Sequence, residues 1–159
     1  MKTSLRALSG INTPKILGGK MRRVGVAGII QSPGTHNFHI LMGRRGKDPN
    51  KGLFVLPGGG VEDNETLEEA FCREVLEETG LEIEPTVGYS RWCHVYTIDL
   101  PDRVILVANA QVKKGDDTPK DGSDLYDVQW FDLLDLPLDI SPVVLPPLAL
   151  KGLRPGKRQ

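Results

Sequence analysis

The sequence predicts an α+β domain, and three observations lead there. Strand-like and helix-like segments alternate irregularly along the chain. One segment, from residue 67 to residue 79, carries both the start and the stop signals of an amphipathic helix. The length of 159 residues, with 39% apolar and 26% charged residues, suits a single soluble domain large enough to bury a core. Residues 21–150 are assigned to that domain. Residues 1–20, with Pro14, Gly18 and Gly19, read as an irregular lead-in, and residues 151–159 as a short basic tail.

Residues 24–30 are apolar with small side chains among them, as in a buried strand. Ser32-Pro33-Gly34-Thr35 is turn material, and residues 38–42 form a second strand that closes a hairpin. A polar loop over 46–52 leads to a short strand, 53–56, ended by Pro57 and by Gly58, Gly59 and Gly60. Thr66 followed by Glu69 is a capping box, in which each side chain satisfies a backbone N–H that the helix leaves open. Gly80 suits the left-handed residue that stops the helix. Further strands are expected over 81–83, 89–98, 104–112 and 127–131, with a polar loop over 116–123. Residues 133–150 are apolar but interrupted by Pro137, Pro142, Pro146 and Pro147, which leaves room only for short helical pieces.

A net charge of −1 gives no broad attraction for nucleic acid or membrane, so neither is expected as a partner. The basic tail, Lys151, Arg154, Lys157 and Arg158, reads as a solvated end. Cys72 and Cys93 make neither a disulfide framework nor a zinc site, and Cys72 reads as a small packing residue in the helix. His36, His39 and His94 have no metal-ligand spacing with one another. The first residues form no apolar run of signal-peptide length and no stretch approaches a membrane span, so a cytoplasmic location is expected. Residues 1–20 would need a surface to cover, and a homodimer is the expectation attached to them.

The helix carries acids on the side it has to bury. With Leu67 at zero and a step of about 100° per residue, Phe71 falls near 40° and Val75 near 80°, which marks the inward stripe. On the same scale Glu74 falls at about 340° and Glu78 at about 20°, inside the stripe, with Glu77 on its flank near 280°. Taking a carboxylate out of water costs several kcal/mol unless something compensates it. The spacing lets all three acids converge on one patch, and oxygen ligands on a rigid helix suit a hard cation such as Mg2+ or Mn2+. The alternative is a solvated face of glutamates paired with Arg73 or lysines. The company of Leu67 and Phe71 favours the metal.

Residues 59–81, about a seventh of the chain, match the pattern G-x5-E-x7-R-E-U-x-E-E-x-G-U at every fixed position, U being aliphatic. Leu41-Met42-Gly43-Arg44-Arg45, Leu56-Pro57, Trp130-Phe131 and Leu136-Pro137 extend the likeness on both sides. The pattern is the Nudix box, and the chain resembles the Nudix hydrolases, the MutT-like family. The resemblance implies an α/β/α sandwich, a mixed curved sheet between helices with the box helix on one face. Family members usually end in a longer helix than residues 133–150 allow. The resemblance also implies metal ligation by Glu74, Glu77 and Glu78 and by a backbone carbonyl just before the box, at Gly58 or Gly59. Arg73 would pin one of the helix glutamates, and Glu65 and Glu62 near the helix start would serve stability or support. An arginine at the end of the second strand would meet substrate phosphate. Arg44 is assigned that part, while strand alternation sends Arg44 and Arg45 to opposite faces so that only one can serve. One further acid is expected from a loop beyond the box, Asp124, with Asp121 and Asp127 as rivals. Glu77, Glu78 and Asp124 are all candidates for the base that takes a proton from the attacking water.

The activity implied is metal-assisted hydrolysis of a nucleoside diphosphate linked to another group, with a small nucleotide as partner. The leading substrate is a (d)NTP cut to the monophosphate and pyrophosphate, because residues 41–65 align without gaps to MutT-type triphosphatases. ADP-ribose or a nucleotide sugar, and dinucleoside polyphosphates, are the alternatives; Thr97, Ile98 and Asp99 stand where such relatives often carry proline or tyrosine. A non-catalytic nucleotide-binding domain is the reading from another class, and the retained acids of the box count against it.

Overall fold

A computed structural model describes residues 21–32, 39–85 and 94–150. The lead-in with its homodimer expectation, His36, Cys93, the first part of the strand expected over 89–98 and the basic tail lie outside them. Among the described residues eight strands form one mixed sheet: β1 (Arg23–Gln31), β2 (His39–Arg45), β3 (Phe54–Val55), β4 (Gly58–Gly60), β5 (Ile83–Pro85), β6 (His94–Asp99), β7 (Arg103–Val112) and β8 (Leu125–Asp132). The helices described are α1 (Leu67–Thr79) and α2 (Leu145–Leu150).

The centre of the sheet is the parallel pair β1–β7, in unbroken register from Arg23 beside Arg103 to Gln31 beside Gln111. Both strands are rich in apolar or small residues, as strands covered on both faces must be. β2, β3 and β8 extend the sheet on one side of this pair, and β5 and β6 pair with β7 on the other, all antiparallel. The register shifts between Met42 and Arg44 and again between His94 and Tyr96, which bends the sheet locally.

Helix α1 begins as its sequence signals require. Thr66 accepts the N–H of Glu69, and the Glu69 carboxylate accepts the N–H of Thr66 at 2.7 Å. Gly80 closes it at φ 70°, donating its N–H to Leu76 O. Phe71 and Val75 are fully buried. The Phe71 ring lies over Gly28 of β1, where a Cβ would come within 1.9 Å of it. Burying a ring of this size contributes roughly 2 kcal/mol or more and fixes the helix over β1.

Two expectations change. The glycines after Pro57 are the short strand β4, paired antiparallel with β1 from Ala27–Gly58 to Gly25–Gly60. The strand expected over 81–83 begins two residues later, because Leu81 is buried as a side chain before its backbone joins the sheet. Over residues 133–150 the one short helical piece is α2, and Pro146 and Pro147 occupy its first turn, where a helix needs no N–H donors. Leu136, Ile140, Val144 and Leu148 are buried in the main core, and Phe54 holds this segment through its N–H to Asp139 O and its carbonyl from Ser141 N–H, both at 2.9 Å. No helix among the described residues is long and apolar enough to cross a membrane.

Candidate active site

The inward acids of α1 meet the glycines of β4. Glu78 is 3% exposed, and its carboxylate accepts the N–H of Gly58 at 2.8 Å. Gly58 has φ 150°, and a Cβ there would come within 2.1 Å of Val26 O, so only glycine brings that N–H to the glutamate. Glu74 lies over Gly59, where a Cβ would come within 2.3 Å of its carboxyl carbon. Burial pushes the Glu78 carboxyl up to about 8; the Gly58 N–H opposes this, the charges of Glu74 and Asp124 add to it, and Arg45 opposes it.

Behind these acids stands Arg73. Its guanidinium donates to both oxygens of Glu65 at 2.7 and 3.1 Å, to Glu74 at 2.9 Å and to Gly60 O at 2.9 Å. The Glu65 hydrogen bonds raise the Arg73 pKa further, so it is always charged, and the same bonds lower that of Glu65. Glu65 also accepts the N–H of Glu62 at 2.7 Å, tying the turn before the helix to the same cluster. A planar guanidinium bound on several sides holds its carboxylates in fixed orientation.

A cleft of about 760 Å³ opens beside these groups. Glu74, Glu78, Gly58, Gly59, Arg45, Lys47 and Asp124 line it, and Val24, Ile98, Ile105 and Val143 are among its apolar walls. Asp124 forms an ion pair with Lys47, and the Arg45 Nε is buried without a hydrogen-bond partner.

A profile of the NUDIX domain matches residues 21–149. The chain belongs to the Nudix family. It is 36% identical over 127 residues to the ADP-ribose pyrophosphatase of Methanocaldococcus jannaschii, covering 72% of this chain and 64% of that protein. It is 35% identical over 94 residues to the NAD-capped RNA hydrolase NudC of Vibrio atlanticus, covering 58% of this chain and 32% of that one. The chain therefore spans less than two thirds of the first of these relatives and about a third of the second. Among solved structures, a NUDIX hydrolase from Nitrosomonas europaea superposes with TM-score 0.67 at 27% identity, over 80% of this chain and 68% of that one. The bifunctional NMN adenylyltransferase/ADP ribose pyrophosphatase of Francisella tularensis, complexed with AMP and Mn ion, superposes with TM-score 0.55 at 27% identity, over 72% and 35%. The fold is the Nudix α/β/α sandwich.

Within this Nudix domain the structure brings Glu74, Glu78, Gly58, Gly59 and Asp124 to the lining of one cleft. Glu77 is half exposed, lies outside the cleft lining and sits 3.5 Å from Arg73. The contact that Gly58 makes here is through its N–H, given to Glu78. Arg44 lies at the end of β2 as expected but does not line the cleft. Its guanidinium stacks over Phe54 at 4.0 Å and donates to Gly52 O, Asp139 and Asp127, while of the two neighbours Arg45 lines the cleft. Of the rival loop acids, Asp121 accepts the N–H of Val128 and Asp127, at φ 52°, accepts from Arg44 and Gln129, so both are engaged in shaping the chain. Cys72 packs against the core as expected, and burial pushes its thiol up.

The donor set fits a hard divalent cation. Among the described residues no three His, Cys, Asp or Glu side chains are gathered tightly enough to enclose a metal unaided. Two carboxylates on one rigid helix, open to a cleft, match an ion that keeps several waters and takes phosphate oxygens as further ligands. Glu78, buried with a raised pKa and hydrogen-bonded to the backbone N–H of Gly58, is the oxygen donor such an ion would compensate.

Sequence reasoning missed Arg45, the Lys47–Asp124 pair and the weight carried by Glu65. The signal for Glu65 was its place in the box pattern. The other two depend on register and loop path.

Proposed function

We propose that this Nudix domain is a divalent-metal-dependent pyrophosphohydrolase that cleaves a nucleoside diphosphate linked to a second group. The observation that carries the reading is the meeting of Glu74 and Glu78 with Gly58 and Gly59 in the lining of a cleft. Glu74 and Glu78 would hold the metal, Mg2+ or Mn2+, with water or a backbone oxygen at Gly58 or Gly59 filling in. When bound, the metal neutralises charge on the pyrophosphate oxygens.

The chain's own residues supply the rest. Arg73 keeps the helix acids in place through Glu65 and Glu74. Arg45, which lines the cleft, meets a phosphate oxygen in the part first given to Arg44. Asp124 accepts the proton of the attacking water. It lines the cleft close enough to Glu78 to raise that carboxyl, whereas Glu77 lies outside the cleft lining and Glu78 is committed to the metal.

Of the substrates left open by the sequence, a nucleotide joined through pyrophosphate to a sugar is favoured over a (d)NTP. The supporting observation is the 36% identity to a protein named ADP-ribose pyrophosphatase. A screen of dNTPs, NTPs, ADP-ribose, NADH, NAD-capped RNA and dinucleoside polyphosphates, with and without Mg2+ or Mn2+, decides it. The expected result is metal-dependent release of AMP and ribose 5-phosphate from ADP-ribose. Pyrophosphate release from a dNTP with ADP-ribose untouched would restore the triphosphatase reading, and no hydrolysis of any compound would leave a binding module.

A further inference from the structure

The loop that carries Asp124 is held by the last turn of α1. The final carbonyls of a helix have no partner within it. Here Lys120 donates its N–H to Thr79 O at 2.9 Å and Ser123 donates its N–H to Glu77 O at 3.3 Å, so the loop supplies the missing donors. Gly122 lies between those two contacts and closes the turn with its N–H on Leu125 O at 3.0 Å. A Cβ at Gly122 would come within 2.3 Å of Glu77 O and 2.5 Å of the Cα and carbonyl carbon of Glu78. These are backbone atoms of the last helical turn, so no rotamer change relieves the contact. Ordinary contact needs about 3.5 Å, and an added methyl would lift the loop by roughly 1 Å.

The far side of Asp124 is fixed as well. Gly46 donates its N–H to Asp124 O at 2.9 Å, and Lys47 pairs with the carboxylate. The acid is thus set between the end of β2 and the end of the helix that bears Glu78. We propose that Gly122 is a positioning residue of the active site: its missing side chain seats the 120–124 loop on the last turn of α1 and thereby sets Asp124 against Glu78. This rests on the reading of Asp124 as proton acceptor. Gly122 is not among the residues lining the cleft, and its proposed effect runs through Asp124.

Gly122→Ala tests it. The variant should lose about 10- to 100-fold in kcat, the scale of a misplacement near 1 Å, with KM within about 2-fold of wild type. Made in an Asp124→Asn background, the same change should cost less than about 2-fold, since the group it positions is already gone. Amide exchange at Lys120 and Ser123 should quicken in Gly122→Ala while the middle of α1 stays protected. Unchanged kcat, or an equal loss in the Asp124→Asn background, would overturn the proposal. Should Gly122→Ala not fold, wild-type amide exchange decides instead: protection of Lys120 and Ser123 matching the last turn of α1 supports the seat, and free exchange refutes it. Full activity of Asp124→Asn would also overturn the positioning role, and an inactive Glu78→Gln alongside it would show that the hydrolase reading itself stands.

Discussion

Two carboxylates one turn apart on the same helix meet opposite surroundings. Glu74 receives a hydrogen bond from Arg73, which is itself locked to Glu65 and to Gly60 O. Glu78 receives one backbone N–H, is almost wholly buried, and has its carboxyl pushed to about 8. The fold gives the first charge a cation of its own and the second only a backbone N–H. Under the proposed function both acids hold the metal and Glu78 is the one that depends on it, and each prediction below is a way to break that asymmetry or sharpen it.

The largest effect is expected at Glu78. Glu78→Gln keeps the shape and the Gly58 hydrogen bond but removes the charge that calls for a cation, and kcat should fall by roughly 10³-fold or more in a steady-state assay. Its fold should survive. Arg73→Ala should cost less activity, about 10- to 100-fold, but should also lower stability by about 2 kcal/mol in urea unfolding, because Glu65 and Glu74 lose a shared donor. Two neighbouring arginines repeat the contrast on a smaller scale. Arg45→Ala should raise KM about 10-fold with little change in melting temperature, whereas Arg44→Ala should leave KM alone and cost about 1 kcal/mol through lost stacking on Phe54 and lost ion pairs.

The smallest effect is on metal-free stability against pH, and its sign follows from Glu78. Below pH 4.5 the carboxyl is protonated in both folded and unfolded chains and no difference arises. Between 4.5 and about 8 the folded state keeps a proton that the unfolded chain has lost, so stability falls as pH rises, and above about 8 the full penalty remains. Metal-free Glu78→Gln, neutral throughout, should therefore melt several degrees above wild type at pH 8.5 and alike at pH 4.5.

Much of this site was legible before any coordinates. The helical period put Glu74 and Glu78 on the stripe with Phe71, and the burial of Glu78 follows from that period alone. The capping box at Thr66 and the stop at Gly80 fixed both ends of α1 for the same reason, since these are local signals. The arginine at the end of β2 was not legible. Alternation says that Arg44 and Arg45 point apart, but the register shift between Met42 and Arg44 breaks the count along the strand, so which one faces inward depends on pairing with β8. The strand formed by Gly58–Gly60 was hidden because three glycines carry no side-chain pattern, and only the partner β1 makes them a strand. Gly122 was invisible for a similar reason: its requirement comes from a helix more than forty residues earlier in the chain.

The most direct test is a titration of Mg2+ or Mn2+ into metal-free wild type and Glu78→Gln, followed by calorimetry and thermal unfolding at pH 6.5 and pH 8.5. The asymmetry between the two acids predicts saturable binding to wild type that tightens and releases less proton at the higher pH, raises the melting temperature, and is lost or weakened at least about 10-fold in Glu78→Gln. Metal binding of equal strength to both proteins would show that the buried carboxylate is not the one the ion compensates.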